Sequence, residues 1–235
     1  MRRVDLPSPN KDARPPGAPI DLLILHYTGM RSAEVALRRL RDPTAKVSAH
    51  YLVDEDGTVV AMVPEECRAW HAGASWWQGR GSLNDVSLGI ELVNPGHEWG
   101  YRPFPVAQMA ALVELAGVLC RRWAIPPDRV VAHSDVAPGR KDDPGELFDW
   151  DEIARAGLCH AVPAVSPMMP DDRAAKAAMV RFGYPSPGEG APWAALVRAF
   201  QRRWRQAHCD GVLDPETMGL ALAVGALRLG TERAT

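Results

Sequence analysis

His26, His133 and Asp143 are residue types that hold zinc, and the pattern around each would present it at the end of a structural element. His26 ends the apolar run Leu22-Leu23-Ile24-Leu25, which projects it from the end of a buried strand. His133 follows Val130-Val131-Ala132 in the same way, and Asp143 lies ten residues later in the loop Gly139-Arg140-Lys141-Asp142-Asp143-Pro144-Gly145. Two imidazoles and one carboxylate leave a fourth tetrahedral position for water, which separates catalytic zinc from closed structural zinc. The chemistry this set supports is hydrolysis. Taken singly, each residue has a plainer role: a strand-end histidine bonded to backbone, or an Asp that shapes a turn. Strand ends on one edge of a sheet would bring all three together.

Two further residues fit that chemistry. Glu91 stands inside Gly89-Ile90-Glu91-Leu92-Val93, and a carboxylate in an apolar strand is costly to desolvate unless it is paired or used. Burial would raise its pKa and poise it to take a proton from zinc-bound water. The alternative is a solvent-facing Glu on a half-exposed strand. Lys141, two residues before Asp143, is close enough to a metal there to donate to a developing oxyanion; otherwise it is a solvated loop lysine.

These residues need a scaffold of strands and helices. Leu22–Leu25 is apolar on both faces, the pattern of a central strand covered by helices. Ser32 can cap a helix running to about Arg41, with Ala33, Ala36, Leu37 and Leu40 at helical spacing. His50–Val53 and Val59–Val63 flank the turn signal Asp54-Glu55-Asp56-Gly57 and read as a hairpin. Ser87–Val93 and Arg129–Ala132 read as buried strands, and Pro105 opens a long helix striped by Met109, Leu112, Ala116, Leu119 and Trp123. Strands interleaved with helices predict an α/β fold: a mixed β-sheet flanked by helices.

Composition is ordinary for a soluble globular protein: 235 residues, 46% hydrophobic, 24% charged, net charge −2. That charge gives no global pull toward nucleic acid. The four cysteines, Cys67, Cys120, Cys159 and Cys209, lie far apart with no CxxC pair, which argues against a thiolate zinc cluster or redox motif. No run reaches transmembrane length, and the first residues lack the apolar core of a signal peptide. The expected location is the cytoplasm, or the periplasm and envelope if the chain is a trimmed one.

Read together, several blocks resemble the zinc-dependent N-acetylmuramoyl-L-alanine amidases of the type 2 amidase family, relatives of the peptidoglycan recognition proteins. They are Leu25-His26-Tyr27-Thr28, Val47-Ser48-Ala49-His50-Tyr51, Ala69-Trp70-His71-Ala72-Gly73, Leu83-Asn84-Asp85, Gly89-Ile90-Glu91-Leu92, Ala132-His133-Ser134-Asp135 and Arg140-Lys141-Asp142-Asp143-Pro144-Gly145. The resemblance implies zinc on His26, His133 and Asp143, with Glu91 as acid/base and Lys141 as oxyanion stabiliser. It also implies a groove in which Tyr27, His50, Trp70, His71, Ala72, Gly73 and Asn84 meet substrate, either peptidoglycan or a 1,6-anhydromuropeptide. The competing class is a recognition protein that keeps the fold without the reaction. In such proteins a ligand position is replaced, whereas here all three hold competent donors.

The chain divides at a composition shift. Residues 1–20 read as an irregular lead-in, 21–160 as the catalytic domain, 161–170 as a proline-rich linker and 171–235 as a small three-helix domain. Phe200-Gln201-Arg202-Arg203-Trp204 and Asp210-Gly211-Val212-Leu213-Asp214 resemble a peptidoglycan-binding module. Arg198, Arg202, Arg203 and Arg205 could form a nucleic-acid face, but Asp210, Asp214 and Glu216 dilute it. So small a domain has a marginal core and would lean on the first domain or on a ligand. Two roles stay open for it: an independent wall-binding module, or structural support through Trp193, Leu196, Val197, Phe200 and Trp204. Trp76 and Trp77, in a Gly/Ser-rich loop, are candidates for sugar contact or for packing.

Overall fold

The computed structural model describes residues 2–186 and 191–231. Its centre is a mixed sheet of six strands, ordered β1 (Arg3–Asp5), β5 (Val59–Ala61), β4 (Tyr51–Val53), β7 (Ser87–Leu92), β3 (Leu22–Tyr27) and β8 (Val130–Ala132). Only β4 and β5 pair antiparallel, across the predicted hairpin; β3, β7 and β8 lie side by side and parallel. A small second sheet joins β2 (Lys11–Ala13) to β6 (Cys67–Ala69).

Alternation along the central strands assigns the two faces. Leu23, Leu25, Leu88, Ile90 and Leu92 point into a core closed by α3 (Val106–Trp123) and α5 (Trp150–Arg155). Leu22, Ile24 and Val131 point the other way. There they share one cluster with residues of three C-terminal helices, α6 (Asp172–Phe182), α7 (Trp193–Trp204) and α8 (Pro215–Thr231). Phe182, Leu196, Phe200, Trp204, Leu220 and Val224 complete that cluster. Helix α1 (Ala33–Arg41) covers Leu52 and Val60 beside it. Two short helices, α2 (Gly96–Trp99) and α4 (His133–Val136), lie at the ends of strands β7 and β8.

Local chemistry fixes the helix ends. The Ser32 side chain accepts from Val35 N and starts α1, while Arg38, Arg39 and Arg41 complement its C-terminal dipole. Asp171 and Asp214 accept from the amides of Ala174 and Thr217 at the starts of α6 and α8.

The first twenty residues differ from the irregular lead-in expected of them. Residues 3–5 add β1 to the open edge of β5, and 11–13 pair with β6. Three-residue strands carry no readable period; backbone pairing to an available edge makes them.

Candidate metal centre and hydrolytic cleft

The parallel trio β3, β7 and β8 ends on one side of the molecule, the usual place for a site in such a sheet. Register sets the neighbours: His26 lies opposite Glu91, and Leu25 opposite Ala132, so His133 begins one step past the paired strand. The Asp143 carbonyl accepts from Ser134 N at 2.9 Å, which folds the 140–146 loop back onto α4. The outcome is a tight cluster. His26 Nδ1 and His133 Nδ1 are 2.8 Å apart, and each lies 3.0 Å from Asp143 Oδ2. All three residues are buried.

The protons around this cluster are fixed by groups that can only accept. His133 Nε2 faces the Ala72 carbonyl at 3.1 Å, nearer than Arg140 Nη2 at 3.3 Å, and the hydrogen placed on it leaves a lone pair on Nδ1. The Ser87 hydroxyl donates to the Leu83 carbonyl at 2.6 Å, so its oxygen accepts from His71 Nε2 at 3.2 Å. His71 Nδ1 then accepts from His26 Nε2 at 3.0 Å, and His26 Nδ1 keeps its lone pair too. Two nitrogen lone pairs and an anionic oxygen therefore converge within hydrogen-bonding distance with no proton assigned between them. A cation satisfies that donor set, and histidine ligands held by a hydrogen bond at the far nitrogen are the ordinary arrangement. His71 fits beside β7 only because residue 89 is glycine: an added Cβ would lie 2.5 Å from its ring.

Electrostatics favour an ionised Asp143 in this cluster. Burial, reinforced by the neighbouring His133, pushes the pKa of His26 down to about 4. Burial works against ionised Asp143 as well, but the charge and hydrogen bonds of His133 and His26 overcome it and hold it below the usual carboxylate range. Glu91 goes the other way. Desolvation, then repulsion from Asp143, raises its carboxyl well above the usual value, with Lys141 opposing. Its Oε2 is shielded and has no hydrogen-bond partner among the described residues. Glu91, Lys141, His133 and Asp143 line one cavity of about 500 Å³, with Tyr27, Trp70 and His71 on its walls.

Of the other residues expected to meet substrate, four take different places. His50 is fully buried, accepting from Gly89 N at 3.0 Å with its other nitrogen 3.2 Å from the Cys67 carbonyl; it has no face on the cleft, and the expectation of substrate contact gives way to packing. Asn84 Oδ1 accepts from the amides of His71 and Ala72, so it shapes the groove loop from behind. Ala72 is buried and contributes its carbonyl to His133 and Arg140. Gly73 lines an adjoining cavity of about 380 Å³ with Trp76 and Arg140. Trp77, considered above for sugar contact, is wholly buried against Phe182 and Tyr184.

Sequence reasoning passed over Arg140 and Ser87. Arg140 donates to the carbonyls of Ala72 and Ala74 and ties the groove loop to the metal loop. Its place beside Lys141 in the quoted block was the only available signal. Ser87 had none, since its role appears only once His71 is seated over β7.

Comparison with known proteins bears directly on this geometry. The N-acetylmuramoyl-L-alanine amidase family matches residues 16–146, more than half of the chain. The chain belongs to the N-acetylmuramoyl-L-alanine amidase family. It is 36% identical over 229 residues to the N-acetylmuramoyl-L-alanine amidase AmiD of Escherichia coli K12, covering 87% of this chain and 82% of that one. It is also 36% identical over 162 residues to the 1,6-anhydro-N-acetylmuramyl-L-alanine amidase AmpD of Haemophilus influenzae, covering 61% and 86%. Among solved structures, E. coli AmiD in complex with the substrate anhydro-N-acetylmuramic acid-L-Ala-D-γ-Glu-L-Lys superposes with a TM-score of 0.80 at 35% identity, covering 90% of this chain and 91% of that one. AmpDh3 of Pseudomonas aeruginosa in complex with anhydromuramic pentapeptide gives 0.77 at 31% identity, covering 90% and 94%. The amidase fold and its helical C-terminal part are thus common to this chain and the AmiD and AmpDh3 structures, and the cluster found here sits in an enzyme family, not in a recognition protein.

Proposed function

We propose that this amidase uses zinc on His26, His133 and Asp143 to cleave the amide between the lactyl group of N-acetylmuramic acid, or its 1,6-anhydro form, and the L-alanine of the stem peptide. The observation that carries the reading is Glu91. Its carboxyl is desolvated, has one unpartnered oxygen and lines the same cavity as two of the three converging ligands. Zinc held by His26, His133 and Asp143 would supply Lewis acidity to a water and to the scissile carbonyl. Glu91 accepts the proton of the attacking water and returns it to the departing alanine nitrogen. The Lys141 ammonium faces the negative charge that develops on the carbonyl oxygen. His71 and Ser87 hold His26 in the tautomer that leaves Nδ1 free, and the Ala72 carbonyl does the same for His133. Tyr27 and Trp70, on the cleft walls, give the stem peptide and sugar apolar surface.

The test is metal content and product analysis together. Purified protein should hold one zinc per chain and release free stem peptide from an anhydromuramyl peptide, with activity lost to a chelator and restored by zinc. One zinc per chain with no amide cleavage on any muropeptide would instead support a recognition protein.

A further inference from the structure

His26 stands on the sheet face that the C-terminal helices cover: Leu22, Ile24 and His26 alternate on one side of β3, and the first two are packed under α6–α8. Those helices also reach the ligand-bearing segments with polar side chains. Arg202 of α7 lies over the 140–146 loop, its Nη1 2.7 Å from Asp142 Oδ1 and its Nε 3.5 Å from Glu146 Oε2. It is shielded there, its side chain only 14% exposed. Glu146 is held from its other side by His97 Nε2 at 3.1 Å, and His97 Nδ1 meets the Tyr27 hydroxyl at 2.9 Å. Two residues past α7, Gln206 donates to the Phe148 carbonyl at 2.6 Å. One helix and its tail therefore grip the loop at positions 142, 146 and 148, around the very residues Lys141 and Asp143.

His133 is braced from the same quarter. The Tyr184 hydroxyl donates to Asp135 Oδ1 at 2.7 Å and accepts from Trp204 Nε1 at 3.1 Å, all three residues being buried. The second Asp135 oxygen accepts from Ala132 N at 2.9 Å, closing the turn that starts α4 at His133.

We propose that the C-terminal helices are a working part of the metal centre, with Arg202 as a positioning residue that sets the loop carrying Lys141 and Asp143. These contacts are ion pairs, the buried Nε having no hydrogen bond among the described residues, and a rigid guanidinium held between two carboxylates four residues apart restrains a loop more than one flexible pair does. Asp142 and Glu146 are 49% and 31% exposed, and pairs to such carboxylates add little to global stability, so the clamp acts on geometry. The inference rests on the zinc hydrolase reading above.

The experiment uses the full chain and three variants: Arg202→Ala, Arg202→Lys and, as comparator, Arg205→Ala, which removes pairs to Asp214 and Glu216 within the helical unit. Zinc affinity is read by chelator competition, kcat and KM on a soluble anhydromuramyl peptide at saturating zinc, and folding by thermal melting. Arg202→Ala should weaken zinc and lower kcat by about 10- to 100-fold, the usual scale for groups that orient ligands. KM should change less than kcat, because Arg202 does not touch Tyr27, Trp70 or His71 on the other walls of the cleft. Arg202→Lys should recover part of both losses, and Arg205→Ala should match the wild type. Wild-type zinc affinity and kcat in Arg202→Ala, or equal losses in Arg205→Ala, overturn the proposal. If Arg202→Ala melts below the assay temperature, Asp142→Asn removes the clamp from the loop side; an unchanged zinc affinity there overturns it equally. A wild-type protein that neither binds zinc nor cleaves the peptide would defeat the zinc hydrolase reading instead.

Discussion

Glu91 is a side chain that is costly to the fold and that the proposed mechanism puts to use. Its carboxyl sits at the end of β7, desolvated and repelled by Asp143, with Lys141 opposing, and its Oε2 has no hydrogen-bond partner among the described residues. Glu91→Gln keeps the volume and removes the base. It should retain zinc while kcat falls by about 100- to 10,000-fold, the range for loss of a general base; equilibrium dialysis and peptide release measure the two separately, and near-normal turnover would take Glu91 out of its role. Ser87 makes a finer prediction. Ser87→Ala leaves His71 Nε2 without its acceptor, so the imidazole is free to take the other tautomer and stops accepting from His26. Zinc affinity should drop by about 10-fold, with Ser87→Thr closer to wild type. Equal affinities for Ser87→Ala and the parent would show that the tautomers are set elsewhere.

Among the elements, the hairpin β4–β5 and helix α3 are joined by one buried carboxylate. Glu65 accepts from the hydroxyl of Tyr51 on β4 and from Arg122 and Trp123 at the end of α3. Burial alone would raise its pKa, but those three hydrogen bonds and the Arg122 charge outweigh it, and the folded value lies below the ordinary 4.5. A carboxylate whose pKa falls on folding contributes stability that is complete above the unfolded value and is lost as pH falls through the folded one. Glu65→Gln should therefore be destabilised against wild type near neutral pH, and the gap should narrow as pH falls below about 4. Urea unfolding at several pH values reads it; a gap constant down to about pH 3 would mean that the charge of Glu65 is not what binds these elements. At this same scale the metal loop behaves as one unit, tied to α4 through Ser134 and to the groove loop through Arg140.

For the molecule as a whole, the decisive contact is the one between sheet and C-terminal helices. Trp77, wholly buried, stacks edge-on against Phe182 and Tyr184, while its indole N–H points to the Asp128 carbonyl. Trp77→Ala should cost about 3–5 kcal/mol, the usual loss for a buried aromatic replaced by alanine. Because Leu22, Ile24 and Val131 share their cluster with α6–α8, calorimetry should show the variant and the wild type each melting in a single transition. Two separated transitions would mean that the helical unit is an independent module after all. The shared cluster also predicts that a chain ended near residue 160 would expose the second face of the sheet and lose its folded metal centre.

How much of this was legible in the chain follows from the range of each interaction. Apolar runs marked β3, β7 and β8, Ser32 marked the start of α1, and residue type named His26, His133, Asp143, Glu91 and Lys141, because strand periodicity, capping and ligand chemistry are written within a few residues. The cleft then brought His133, Asp143, Glu91 and Lys141 together as those types suggested, with His26 completing the ligand cluster. Three-residue strands β1 and β2 were invisible, since an edge partner makes them and no local pattern does. His50 and His71 have the same side chain and stand on neighbouring blocks, yet one packs beneath β7 and the other lines the cleft. Both are buried, and only their tertiary surroundings separate them. Trp77, Arg202 and Tyr184 carried no local sign of their roles: each acts across more than forty residues of chain, through a contact that exists only after the C-terminal helices have closed over the sheet.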